Sequence, residues 1–149
     1  MRENATIVFL KELLNKNNIN LLKEKDITSK QIDRFNIKTP STEQLIKFLS
    51  GGNQQKVCLS KWLIGNPKIL ILDEPTKGID IGAKAEIHQI IRDLTKQGVS
   101  VILVSSELPE VIGASDRVVV LYHGEIVDVF DNQNSDLTQE TVIKSASGL

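Results

Sequence analysis

The chain is poor in aromatic residues: one Trp, one Tyr and four Phe make up 4% of its 149 residues. Any core must therefore be mostly aliphatic, and the 40% of residues that are apolar are enough to build one. There is a single cysteine, Cys58. That excludes an internal disulfide and fits a reducing compartment. Neither charge is in excess, with 18 basic and 19 acidic residues and a net charge of -1. A dedicated nucleic-acid surface usually shows as a basic surplus, so none is expected. Long hydrophobic runs are also missing. The apolar stretch nearest the N-terminus is residues 7–10, ahead of Lys11. It is too short for the core of a signal peptide and far too short to cross a bilayer. The expectation is a soluble chain that meets a membrane only through a partner.

What is present changes character near residue 49. Before it the chain is polar, rich in Lys, Asn and Gln, and helical in pattern. Residues 3–16 read as a helix, with Ile7, Leu10 and Leu14 on one stripe widened by Phe9 and Leu13. Thr28 with Gln31 reads as a capping box that starts a helix running to about Phe35, and Ser41 with Gln44 as a second one, ahead of a short helix ending near Leu49. Residues 53–64 form a further helix, stopped by Gly65, Asn66 and Pro67. Beyond it, residues 69–72 are a wholly aliphatic run and 99–104 are aliphatic apart from Ser100, runs of the kind that suits a parallel sheet buried on both faces. The helix between them carries Ala83, Ile87, Ile90, Ile91 and Leu94 on one stripe and is closed by Gly98. Strand, helix, strand is a crossover unit, for which right-handedness is the rule. A short helix with Leu108, Val111 and Ile112 follows. Then residues 118–121 and 126–130 flank a tight turn as an antiparallel hairpin, and a helical patch covers about 138–146.

Two constellations carry chemistry. The first is Leu49-Ser50-Gly51-Gly52-Asn53-Gln54-Gln55-Lys56. A serine and two glycines stand just ahead of a helix, whose first turn has unpaired N–H groups and the positive end of the macrodipole. Glycine lets a phosphate approach that backbone, and the hydroxyl adds a donor. Taken alone, the segment is better explained by an ordinary loop with Ser50 as a helix cap. The second is Ile69-Leu70-Ile71-Leu72-Asp73-Glu74-Pro75. Two carboxylates stand where a strand leaves the sheet, the end at which open α/β sheets bind ligands. An Asp there can hold magnesium, usually through water, and a neighbouring Glu can polarise an attacking water. Taken alone, they are as well explained by a solvated turn.

Together, and followed directly by Thr76-Lys77-Gly78-Ile79-Asp80, the two are much more specific. LSGGNQQK resembles the signature motif of ABC ATPases, ILILDEP their Walker B strand with its glutamate, and TKGID their D-loop. The resemblance runs from about Ser41 to Gly124. In its variant form, with KWL, LDEPTKGIDIGAK and VSSELPEV, it is similar to the C-terminal ATPase half of tandem subunits that drive ribose- and galactose-type monosaccharide import.

That resemblance implies an α/β fold, a partial P-loop NTPase domain. A helical subdomain with the signature motif (1–66) would precede the C-terminal part of the core (67–130), built as a mostly parallel sheet with crossover helices and a C-terminal hairpin, and then a tail (131–149). It implies ATP and Mg as cofactors, and as partners a second ABC ATPase domain, transmembrane permease subunits and, indirectly, a sugar-binding protein. The place of action would be the cytoplasmic face of the cell membrane. Leu49, Ser50, Gly51, Gly52, Asn53 and Gln54 would form the ATP-binding segment lent to the partner's nucleotide. Asp73 would assist magnesium and Glu74 would orient water. Gly78, Ile79 and Asp80 would belong to the D-loop, with Asp80 packed across the dimer interface. The competing functions are a soluble ABC-type protein acting on DNA or ribosomes, and a non-catalytic remnant of a truncated gene.

Two departures stand out. Where the general family pattern has a histidine after the second core strand, this chain has Ser106. A serine hydroxyl is shorter and carries no charge near neutral pH, so the domain's own site is expected to be weak. The importers named above share that serine. No G-x-x-x-x-G-K-[ST] occurs in the 149 residues. The expectation is a chain that begins inside the helical subdomain, has no ATPase turnover by itself, and exposes apolar sheet edges. Among the remaining polar candidates, His88, His123, Lys56 and Lys61 read as solvated or half-buried surface groups. Cys58 reads as a packed core thiol, and Trp62 as a helix-face core contact.

Overall fold

The computed structural model describes residues 1–15, 18–134 and 136–148. The stretch read as one helix over 3–16 is divided. Helix α1 (Arg2–Thr6) passes into a 3-10 turn over Ile7–Phe9 and then into α2 (Leu10–Leu13). The consecutive β-branched residues Thr6, Ile7 and Val8 stand at the break, where they favour the helix least. Leu14 is already extended, in a two-residue strand β1 (Leu14–Asn15) paired antiparallel with β2 (Asn18–Ile19). Position 16, the end of the expected helix, lies outside the described residues.

The next helix, α3 (Leu21–Arg34), begins well before the expected capping box. Its cap is Asn20, whose side chain accepts from the Lys23 N–H at 3.0 Å. Thr28 and Gln31 are interior and buried, and the Thr28 hydroxyl donates back to the Glu24 carbonyl at 2.8 Å. A threonine four residues after a carbonyl can bond within the helix as well as cap one, and the pattern alone does not separate the two. Ser41 likewise starts no α-helix. A turn with Gln44 N–H to Ser41 O at 3.3 Å leads to a 3-10 turn over Ile46–Phe48.

Helix α4 (Gly51–Leu63) buries Val57, Leu59, Ser60 and Leu63. Cys58 and Trp62, expected in the core, lie on its outer side: the thiol is exposed, and the indole is 54% exposed beneath the Lys61 ammonium. Strand β3 (Ile69–Asp73), helix α5 (Ile81–Lys96) and strand β4 (Ser100–Val104) form the crossover unit. The bonds Ser100 N–H to Lys68 O and Glu74 N–H to Val104 O show the two strands running parallel. Helix α5 buries Ile87, Ile91 and Leu94, and Gly98 just past its end has φ +88°, a left-handed backbone that favours glycine. The strands are not buried on both faces as expected. In β3, buried and exposed residues alternate, with Leu70 and Leu72 inside and Ile69 and Ile71 outside.

The chain divides into two compact units, 1–70 with 75–100, and 71–74 with 101–149. In the first unit, α1 packs on α3 and α4, and α4 on α5. The core includes Leu13, Val57, Leu63, Ile87 and Ile91. Buried Glu24 is satisfied there by Arg2 Nε at 2.8 Å and the Thr6 hydroxyl at 2.9 Å. In the second unit, α6 (Leu108–Ala114) and α7 (Gln139–Ala146) pack with the hairpin β5 (Arg117–Tyr122) and β6 (Glu125–Asp131) around Val118, Val120 and Val142. His123 and Gly124 turn that hairpin with φ +49° and +85°, the geometry of a two-residue loop that follows the strand twist. No helix among the described residues is long and apolar enough to cross a membrane.

Candidate functional site

The expected site residues fall into both units. In the first, Leu49 is buried and extended, and Ser50 stands at the N-cap of α4 with φ −61° and ψ 156°. Its carbonyl accepts the first helical bond, from the Gln54 N–H at 2.9 Å. Its hydroxyl makes no capping bond. Asn53 Nδ2 donates to Ser50 Oγ at 2.8 Å, while Asn53 Oδ1 accepts from the Lys38 N–H at 2.8 Å. Gln54 turns back and donates to the Leu49 carbonyl at 2.9 Å. The segment is thus tied on both sides of the serine, and the helix start keeps the donors that have no partner within the helix.

The two glycines have different reasons. A Cβ on Gly52 would lie 2.5 Å from the Ala83 Cβ, so α4 and α5 can approach this closely only without a side chain there. A Cβ on Gly51 would meet Ile79 Cγ2 at 3.5 Å, an ordinary contact. Ile79 and Gly78, from the TKGID loop, therefore lie beside the start of α4. Gly78 has φ +77° and open space around it. There glycine is favoured by conformation and not by packing. Asp80 is the N-cap of α5, and its carboxylate accepts from the Ala83 N–H at 2.9 Å.

Lys56, expected at the surface, is buried. Its ammonium donates to the Asn36 carbonyl at 3.0 Å and pairs with the Glu86 carboxylate. That bond and the charge of Lys56 hold the Glu86 carboxyl below the usual carboxylate range. Residue spacing carries no signal for this pair, because thirty positions of chain separate its members.

In the second unit, Asp73 ends β3 and is exposed. Glu74 takes φ +49°, a left-handed conformation uncommon for a side chain that is neither Gly nor Asn. Held strain of this sort costs on the order of 1–3 kcal/mol and gathers at functional positions. The Glu74 N–H donates to Val104 O at 2.8 Å, and Glu74 Oε1 accepts from the Ser106 N–H at 3.0 Å. Ser106 therefore meets the glutamate through its backbone. Ser105 donates to the Glu110 carboxylate and accepts from the Glu107 N–H at 3.0 Å, which fixes the turn after β4.

Among the described residues no group of three or more His, Cys, Asp or Glu is placed to hold a metal. Asp73 fits the one ion the motif implies, because Mg²⁺ keeps most of its waters and commonly uses one or two carboxylates together with phosphate oxygens. His88 is half-buried on α5, and His123 sits in the hairpin turn with its ring edge-on to Tyr122, 4.2 Å between centroids.

The model of the ABC transporter family matches residues 1–77. The chain is 47% identical over 148 residues to the ribose import ATP-binding protein of Geobacillus kaustophilus, covering 99% of this chain and 30% of that protein. It is 49% identical over 146 residues to the xylose import ATP-binding protein of the same organism, covering 98% and 29%. The chain thus spans less than a third of the length of these relatives. Its fold is similar to that of a bacterial ABC transporter cassette solved as a dimer, with a TM-score of 0.65 at 20% identity over 79% of this chain and 51% of that one. With its signature segment at the head of α4 and its Asp73-Glu74 pair at the end of β3, the chain belongs to the ABC transporter family.

Proposed function

We propose that this chain is the signature-bearing part of the ATP-binding subunit of an ABC-type monosaccharide importer, and that it lends Ser50, Gly51 and Gly52 to the γ-phosphate of an ATP held mainly by a second ATPase domain. The observation that carries the reading is the head of α4. Ser50 stands at the cap position without spending its hydroxyl as a cap, next to two glycines and a helix dipole. A serine there as a mere cap would accept from an N–H of the first turn; this one does not. The family match and the import relatives, both named for sugars, support the assignment. Those relatives are named for different sugars at nearly equal identity, which supports placing the choice of sugar in other subunits.

In this reading residues 1–66 are the helical subdomain, 67–130 the C-terminal part of the core and 131–149 a tail. Asp73 would hold Mg²⁺ through water, and the ion would supply charge neutralisation on the phosphates. Glu74 would orient the attacking water. Leu49, Asn53 and Gln54 shape the lent segment, and Gly78, Ile79 and Asp80 form the D-loop beside it. The partners are the second ATPase domain, permease subunits and a sugar-binding protein beyond them, at the cytoplasmic face of the membrane. The dimeric cassette supports the pairing. Ser106 in place of a charged side chain makes the chain's own half-site the weaker one.

The test is a chimera in which this chain replaces the matching segment of the Geobacillus ribose import ATP-binding protein. The chimera is expected to hydrolyse ATP, and the 149-residue polypeptide alone is not. Hydrolysis by the purified polypeptide that disappears on Glu74→Gln would overturn the reading.

A further inference from the structure

Asn53 has two bonds that run in one direction. Its side-chain carbonyl accepts from the Lys38 backbone N–H at 2.8 Å, and its side-chain amide donates to Ser50 Oγ at 2.8 Å. The first bond decides which end of the amide faces Ser50, since only an oxygen can accept from an N–H. The second decides what the serine can do. A hydroxyl has one proton and two lone pairs. With a lone pair occupied by Asn53 and no first-turn N–H bound to it, its proton is free to donate away from the helix. A hydroxyl that accepts one bond is also polarised into a better donor for the next.

We infer that Asn53 is a positioning residue: anchored by the Lys38 backbone, it orients the Ser50 hydroxyl as an outward donor to the phosphate, and does not itself touch the nucleotide. This rests on the function proposed above and sharpens it. The role given to Asn53 becomes indirect, and the loop carrying Lys38 becomes part of the machinery.

A double-mutant cycle in the chimera separates this from direct contact. Asn53→Ala is expected to lower kcat/KM up to about tenfold, the worth of one good hydrogen bond. In the Ser50→Ala background the same change should cost less than about twofold, since the group it acts through is gone. Equal losses in both backgrounds would overturn the inference. The second measurement needs no turnover. In the 149-residue chain, hydrogen exchange at the Lys38 amide should quicken several-fold in Asn53→Ala, and exchange of the Asn53 side-chain amide should quicken in Ser50→Ala. Unchanged exchange at both would equally overturn it. A wild-type chimera with no ATP turnover would count against the proposed function alone, and the exchange pair would still decide the relay.

Discussion

The two places proposed to carry chemistry in this chain are held in opposite ways. Around Ser50 the neighbours are engaged by side chains: Asn53 bridges to the Lys38 backbone, Gln54 reaches back to Leu49, Gly52 admits Ala83, and Lys56, six residues on, is buried against Glu86. Around Glu74 the backbone is bent into a left-handed turn at the tip of a short strand, and the strand and its neighbour expose Ile71, Ile102 and Val104, each more than half accessible. The first place is braced by side chains of its own unit. The second is braced by one backbone bond, Glu74 N–H to Val104 O, and by one bond from the Ser106 N–H to the Glu74 carboxylate. A braced segment suits a part presented ready-made to someone else's ligand. The largest effect that could break this contrast is on turnover. In the chimera, Ser50→Arg should reduce ATP hydrolysis by at least about a hundredfold, as for loss of a strong transition-state donor, while Glu74→Gln should matter less. The reverse ranking in steady-state assays would show the glutamate end to be the working one.

Next in size is the helix contact. Gly52→Ala places a methyl group 2.5 Å from the Ala83 Cβ, which cannot be absorbed by a rotamer, since neither side chain has one. The helices must separate, at roughly 1–3 kcal/mol, the usual cost of overpacking. Thermal unfolding of the chain should show the loss, and Ala83→Gly in the same molecule should recover most of it. No recovery would mean that the glycine is demanded by something other than α5.

The Lys56–Glu86 pair predicts a pH response. The Glu86 carboxyl is held below its ordinary value by the Lys56 bond and charge. A group with a depressed folded pKa contributes stability above its unfolded pKa, near 4.3, and that stability is lost as pH falls through the folded value. Glu86 is about half exposed, so the gain is screened, to less than about 1 kcal/mol. The midpoint of unfolding should therefore drop in acid more steeply for the wild-type chain than for Glu86→Gln. Parallel curves would remove the pair from the bracing of α4.

Most of the fold was legible where one helix face or one strand could be read from its own period. The stripe of Ile87, Ile91 and Leu94, the hairpin turn at His123-Gly124 and the terminal helix all lie where the pattern put them. The signature segment and the Asp-Glu pair were legible because their spacing is a motif. What escaped depends on partners far away in sequence. Thr28 looks like a cap and is a buried residue bonded inside α3. Lys56 looks like a surface lysine and is neutralised from thirty residues away. Cys58 and Trp62 share a face of α4 that the apolar period suggested was inner. The positive φ of Glu74 has no sequence signal, since glutamate is not among the residues that favour a left-handed turn.

The smallest effect concerns the strands. Apolar edges were expected to be exposed; apolar faces are, as Ile71 at 68% accessible shows beside Leu72 at 9%. These neighbours on β3 differ only in which side of the pleat they occupy. Ile71→Thr removes apolar surface from the exposed side and keeps a β-branched side chain suited to a strand. Its cost to the fold should be within about 0.5 kcal/mol, the usual range for a surface change. Its benefit should appear in the aggregated fraction, because exposed apolar strand surface is where chains associate. Light scattering at matched concentration should fall while the unfolding midpoint stays put. A midpoint lowered by several degrees would mean that Ile71 is covered in solution, and that the weakly braced end of the molecule is better supported than its exposed strand indicates.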